Sequence, residues 1–233
     1  MKLKYCSLTG ADDDINPEDL RQISREYPFA EWAILLMRTH AGQPRFPTAD
    51  WIQRFAASMR DCLTAMHLCG EAFLGFMDQD PDVRQLMSGF QRIQLNLKFG
   101  DMAGKYDPAT LVARVRENPS WQFIIQYTPD NRHLLPLFQD IPNHAILFDA
   151  SAGRGVAPDS WDSPIPGHFC GYAGGLNPDN IEKHLESISK AASGQIIWVD
   201  MESGVRTNDK FDLGKARSVL ASAAPYTTGT KAE

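Results

Sequence analysis

The strongest constraint on this chain is its rhythm. Eight short apolar runs, at residues 3–8, 31–37, 63–68, 92–97, 121–127, 144–148, 168–171 and 195–200, each give way to a turn and, in nearly every unit, to a helical pattern. The repeat is roughly 29 residues, and alternation of this kind predicts parallel strands joined by crossover helices. The run at 31–37 is almost wholly apolar, as a strand covered on both faces should be. Eight such units in 233 residues fit an α/β fold, a single (β/α)8 TIM barrel spanning residues 1–233, with a frayed Thr/Ala/Lys-rich tail from about residue 226. A doubly wound open sheet is the alternative, but no G-x-G-x-x-G follows the first run.

Local signals set the helix ends. Asn16-Pro17-Glu18 starts a helix that reaches about Tyr27, and Thr48 caps one whose Trp51, Phe55 and Met59 form a single stripe. A helix from Glu71 meets Asp80-Pro81, where it must break or restart, and Asp107-Pro108 opens another that ends before Pro119. A short helix is expected at 133–138, and longer ones at 178–189 and 213–223. The loop at 150–166 carries so much glycine and proline that any helix there is short. Alternation thus predicts about eight helices.

A net charge of -6 with no basic run excludes nucleic acid as a partner, and an anionic substrate has to be held by local amides and a few cations. No segment is apolar for long enough to span a bilayer, and residues 1–6 lack a signal peptide's apolar region. Cys6, Cys62, Cys69 and Cys170 show neither C-x-x-C pairing nor zinc spacing, which suits a reducing cytoplasm. No metal or organic cofactor is expected. A monomer and a homodimer both fit, since no exposed apolar stripe stands out.

Two adjacent units near the C-terminus share a design. The run ending at Gly171-Tyr172-Ala173 leads into Gly174-Gly175 and then Asn177-Pro178, a helix start; the run ending at Asp200 leads into Ser203-Gly204. Glycines let a ligand approach the backbone, and free amides at a helix start favour an anion. In an eight-fold barrel this is where phosphate commonly sits, so Ala173, Gly174, Gly175, Ser203 and Gly204 are the candidate phosphate residues. The same glycines serve equally well as plain strand–helix turns.

Active sites of such barrels lie at the C-terminal strand ends. Polar residues there are Cys6 and Ser7, Arg38, His67 and Cys69, Asn96 and Lys98, Tyr127, Asp149 and Ser203. Cys6 is either a small buried hydrophobe or, if a nearby charge lowers its pKa, a base. Asp149 either caps the loop that follows it or serves as a general acid. Arg45 is either solvated or grips an anion with its guanidinium fork. His67 and Cys69 form half a metal site without further ligands.

At these positions the chain resembles phosphoribosylanthranilate isomerase, a tryptophan-biosynthesis enzyme. Lys4-Tyr5-Cys6-Ser7-Leu8-Thr9 is similar to the family's K-I-C-G-L-T, Pro44-Arg45-Phe46 to part of S-P-R-Y, and Gln94-Leu95-Asn96 to Q-L-H. Asp149 stands where the family's sixth strand ends in Asp. Gly153-Arg154-Gly155 with Trp161 resembles G-T-G…W, Ala173 to Pro178 matches A-G-G-L-N-P, and Ser203-Gly204-Val205 matches S-G-V. The resemblance implies an aldose–ketose (Amadori) isomerase acting on a small phosphorylated sugar derivative. It implies Asp149 as acid and Cys6 as base, with Arg45, Asn96, Gly153, Arg154 and Gly155 around the rest of the substrate. Ser7, Asn96, Arg154 and Arg206 depart from the family's Gly, His, Thr and Glu, and Leu68-Cys69-Gly70 is unlike its third strand end. Two alternatives therefore stand beside it: a related barrel acting on a different phosphorylated substrate, and a barrel that binds a phosphorylated ligand without turnover.

Overall fold

A computed structural model of the chain describes residues 1–97, 104–128, 131–149 and 155–227. Eight parallel strands close on themselves in sequence order. They are β1 (Lys2–Thr9), β2 (Ala30–Leu36), β3 (Leu63–Leu68), β4 (Arg92–Leu95), β5 (Gln122–Tyr127), β6 (His144–Asp149), β7 (Cys170–Ala173) and β8 (Ile196–Met201). The expected single (β/α)8 barrel is thus the observed one, and every strand falls on or beside its sequence run.

The helical layer is less regular than the rhythm predicts. Helices α1 (Pro17–Glu26), α2 (Ala49–Ser58), α5 (Pro108–Arg116), α6 (Ile181–Ala192) and α7 (Leu213–Ala223) cover the barrel. The third unit has two, α3 (Glu71–Met77) and α4 (Pro81–Met87), because Asp80 caps a new start by accepting from the Asp82 and Val83 amides. A 3-10 helix at Arg132–Phe138 serves the fifth unit, with Pro136 inside it preventing an α-helix. Among the described residues of the sixth unit there is no helix. Asn16, Thr48 and Asp107 cap as their sequence positions predict. Asn177 does not cap α6: it folds an Asx turn onto the Asp179 amide, and the helix begins three residues later than expected. A short antiparallel pair, β9 (Arg206–Thr207) with β10 (Lys210–Phe211), has no counterpart in the sequence reading. Among the described residues no helix is long and apolar enough to cross a membrane.

Two apolar layers hold the barrel. The larger lies between strands and helices and includes Leu3, Cys6, Leu8, Trp32, Phe55 and Val199; the smaller fills the interior with Ile124, Ala145, Leu147, Ala173 and Trp198. The interior also holds a buried polar group. Arg92 donates from Nη1 to both Glu31 oxygens at 2.8 and 3.0 Å and from Nε to Gln122 at 2.9 Å, and Ser7 also donates to Glu31. The guanidinium lies 4.4 Å from the Trp198 ring centre and 4.9 Å from that of Tyr5. Such a pair is held by geometry: removing one partner strands a buried charge, whereas replacing both does not. Arg92→Met should therefore lower the unfolding free energy by about 3–5 kcal/mol, and Glu31→Leu added to it should restore most of the loss. Urea denaturation of the two variants checks this; equal stabilities would show that the pair carries no such weight.

Candidate active site

The C-terminal strand ends surround one cavity of about 720 Å3. Arg45, His67, Asn96, Asp149, Gly155, Ala173, Gly174, Gly175, Ser203 and Gly204 all line it, so ten of the sequence candidates meet at one place. Gly153 and Arg154, like Lys98, lie outside the described residues.

The glycine side is built by close backbone contact. Gly174 and Gly175 have φ of 131° and 62°, conformations that side chains disfavour. A Cβ on Gly204 would stand 1.9 Å from the Leu176 carbonyl oxygen, and one on Gly175 would stand 2.3 Å from the Ala157 amide nitrogen. The two glycine turns are therefore packed directly on one another and on the loop at 155–157. Asn177 and Asn180 both donate to the Gly175 carbonyl, at 3.2 and 2.9 Å, and fix the turn. After β8 the chain makes a single 3-10 turn, Ser203–Val205. Loops after the seventh and eighth strands plus a short extra helix are the usual phosphate cradle of such barrels.

Cys6 is not at this cavity. It is fully buried in the layer between strands and helices, paired in register with the outward Val199, and burial together with Asp200 and Glu31 pushes its thiol well above the ordinary range. The thiolate expected there is disfavoured.

The residue facing the cavity from the same level is Asp200, which sequence reading passed over as the end of a strand. Burial raises its pKa to about 7, helped by the charges of Glu202, Glu31 and Asp149, against a lowering bond from Thr9. Thr9 Oγ1 donates to Asp200 Oδ1 at 2.6 Å. Asp149 and Asp200 are each 8% exposed and both line the cavity. The available signal was positional: Asp200, like Asp149, is an acid ending an apolar run just before a glycine turn.

The opposite wall, from β3 and β4, is a relay of neutral groups. The Cys69 thiol donates to the His67 carbonyl at 3.7 Å, Asn96 Nδ2 donates to Cys69 Sγ at 3.0 Å, and Gln94 Nε2 donates to Asn96 Oδ1 at 2.8 Å. Burial pushes the Cys69 thiol to about 12, which keeps its proton, and lowers His67 to about 3, which keeps it uncharged. Among the described residues no three His, Cys, Asp or Glu side chains are grouped to hold a metal ion.

Arg45 reaches the rim, but its fork is occupied. Nη1 donates to Glu202 at 2.6 Å and Nη2 to Asp209, while its amide donates to Asp12 at 2.7 Å. Arg206, buried behind it, bonds Asp12 and the Gly10 and Asp209 carbonyls. The expected free grip on a substrate anion is not what this side chain offers.

Comparison with known proteins adds to this geometry. Residues 113–222 match the family model described as N-(5'phosphoribosyl)anthranilate (PRA) isomerase. The matched segment runs from α5 into α7 and contains Asp149, both glycine turns and Asp200; β1 and Cys6 lie outside it. A solved structure of N-(5'-phosphoribosyl)anthranilate isomerase from Pyrococcus furiosus superposes with a TM-score of 0.56 at 14% identity, covering 94% of this chain and 98% of that one. At that identity the likeness concerns the fold. No curated protein sequence matches.

A buried carboxyl whose pKa is raised to about 7 destabilises the fold when ionised. The raised value means the stabilising contribution is complete below pH 4 and is lost as pH rises through 7. Asp200→Asn should remove the penalty, raising stability at pH 8 by up to about 4 kcal/mol and changing little at pH 4. Thermal unfolding at both pH values tests this; a variant less stable at pH 8 would mean that Asp200 is held as a favoured anion.

Proposed function

We propose that this chain, whose residues 113–222 match the phosphoribosylanthranilate isomerase family model and carry the glycine turns and both aspartates, is an aldose–ketose isomerase of a phosphorylated sugar amine. The observation that carries the reading is the pair of buried carboxyls, one with a pKa near 7, facing the glycine cradle within one cavity. In this mechanism the Gly174-Gly175 and Ser203-Gly204 amides hold the phosphate. Asp149 gives a proton to the ring oxygen, the C1–O bond breaks, and the amine lone pair forms the iminium.

Asp200 then takes the C2 proton. Abstracting a proton from carbon is the harder transfer, and a carboxylate of pKa near 7 is a far stronger base than an ordinary one. The enaminol that results tautomerises to the aminoketose, so C1 is reduced and C2 oxidised within one molecule. Thr9 orients the base. The cytoplasmic location expected from the sequence suits such a reaction.

Turnover of an N-(5-phosphoribosyl)arylamine, followed by the change in aryl absorbance, is the direct test. Asp149→Asn and Asp200→Asn should each lower turnover by about 10²–10⁴ while phosphate affinity changes little. Cys6→Ala should leave the rate within a few-fold. Full loss of activity in a folded Cys6→Ala protein would return the base to the thiol and sink the assignment.

The pH profile offers a second check. If Asp200 acts ionised, kcat/KM rises with pH through about 7. Thr9→Val removes a bond that lowers the pKa, so this limb should move to higher pH. An unmoved limb would assign it to another group.

A further inference from the structure

Among the described residues the loop after β6 covers the barrel where most units use a helix. Phe148 and Tyr172 are paired in register in the outer apolar layer, their rings stacked 5.4 Å apart. Trp161 of the loop lies edge-on to Tyr172 at 5.7 Å, and Tyr172 Oη donates to the Asp162 carbonyl at 2.9 Å. The loop also touches the first glycine turn. A Cβ on Gly175 would meet the Ala157 amide nitrogen at 2.3 Å, the Val156 carbonyl carbon at 2.7 Å and the Gly155 carbonyl oxygen at 2.9 Å. Three consecutive loop residues thus form one side of that turn.

The other side of the turn leads back to the loop through α6. Asn180 Nδ2 donates to the Gly175 carbonyl at 2.9 Å, and the His184 amide donates to the Asn180 carbonyl at 3.1 Å. Trp161 Nε1 in turn donates to His184 Nδ1 at 3.3 Å, with the ring centres 5.6 Å apart and the planes at 86°. Gly175, Asn180, His184, Trp161 and the loop back to Ala157 therefore make a closed circuit of contacts around one turn. A hydrogen bond into Nδ1 needs a neutral imidazole with its proton on Nε2. Burial first, and then the charge of Lys183, lower the His184 pKa and favour that form.

We propose that His184 is a positioning residue for the phosphate cradle: by taking the Trp161 indole N–H it holds the loop against Gly175 and so sets the direction of the Gly174 and Gly175 amides. Neither Trp161 nor His184 lines the cavity, so the effect travels through the backbone of the turn. The role rests on the reading above that phosphate sits on these amides; it does not depend on which reaction follows.

Amide hydrogen exchange and titration with inorganic phosphate, both on the whole protein, test this. In His184→Leu, which keeps an apolar side chain but no acceptor, the amides of Val156, Gly174 and Gly175 should exchange about 5-fold faster, the size of one lost hydrogen bond. Phosphate affinity should fall by about 3- to 10-fold, and KM for an N-(5-phosphoribosyl)arylamine should rise by the same factor with kcat within about 2-fold. Trp161→Phe, which keeps a ring but no donor, should do the same. His184→Asn places an amide oxygen near the site of Nδ1 and should restore exchange and affinity to within about 2-fold of the unmutated protein. Unchanged exchange or unchanged phosphate affinity in a folded His184→Leu protein overturns the proposal, as does a His184→Asn protein no better than His184→Leu. Phosphate binding by the unmutated protein without turnover of any such arylamine would instead remove the isomerase reading and leave this role of His184 standing.

Discussion

The guanidinium of Arg92 decides which way the strands face. It spans the barrel interior to Glu31 and is flanked by Tyr5, Phe169 and Trp198. Side chains alternate along a strand, so inward groups at this level fix the inward groups at the mouth. From Arg92 follow Gln94 and Asn96; from Trp198 follows Asp200; from Ser7, bonded to Glu31, follows Thr9. Gly171 belongs to the same arrangement. A Cβ there would stand 2.1 Å from the Trp198 ring, which must lie where it does to cover Arg92. A charge pair deep in the barrel thus sets which carboxyl of β8 faces the cavity.

The same alternation explains which parts of the molecule were legible in its sequence. Strand runs and caps were, because each depends on a few neighbouring residues: Thr48, Asp80 and Asp107 bond amides two or three positions on. The glycine turns were legible because backbone against backbone admits little else. The orientation of Cys6 was not. In β1 the pairing with β8 slips between Leu3 and Tyr5, so one residue is skipped and every later side chain changes face. Counting alternately from the outward Leu3 brings Cys6 inside; the slip turns it out and brings Ser7 and Thr9 in. A bulge of this kind leaves no mark in a run such as Lys2 to Thr9. Nor could Arg45 be read correctly, since Glu202 and Asp209, which hold it, stand far along the chain.

Asp200 is the place where burial works most plainly against an ionised side chain lining the cavity. Burial alone makes its anion costly, and Glu31, Asp149 and Glu202 all add to that cost. Only Thr9 opposes it with a bond that favours the charged form. The outcome is a carboxyl poised to change charge near neutrality, which an exposed aspartate is not. Arg45 and Arg206 could have neutralised this corner, but Glu202, Asp209 and Asp12 claim them first.

These arrangements divide the barrel by task. The segment that matches the family, residues 113–222, holds the glycine cradle and both aspartates. The other half supplies the far wall, with Cys69, Gln94 and Asn96, and the rim with Arg45. Of the departures from the family pattern, Ser7, Cys69 and Asn96 fall in that other half, whereas Arg154 and Arg206 fall within the matched segment, Arg206 reaching back to bond Gly10 and Asp12. The wall formed by Cys69, Gln94 and Asn96 thus stands on strands other than those that carry the glycine turns, so substitutions in it can reshape the cavity without disturbing the backbone contacts of the cradle.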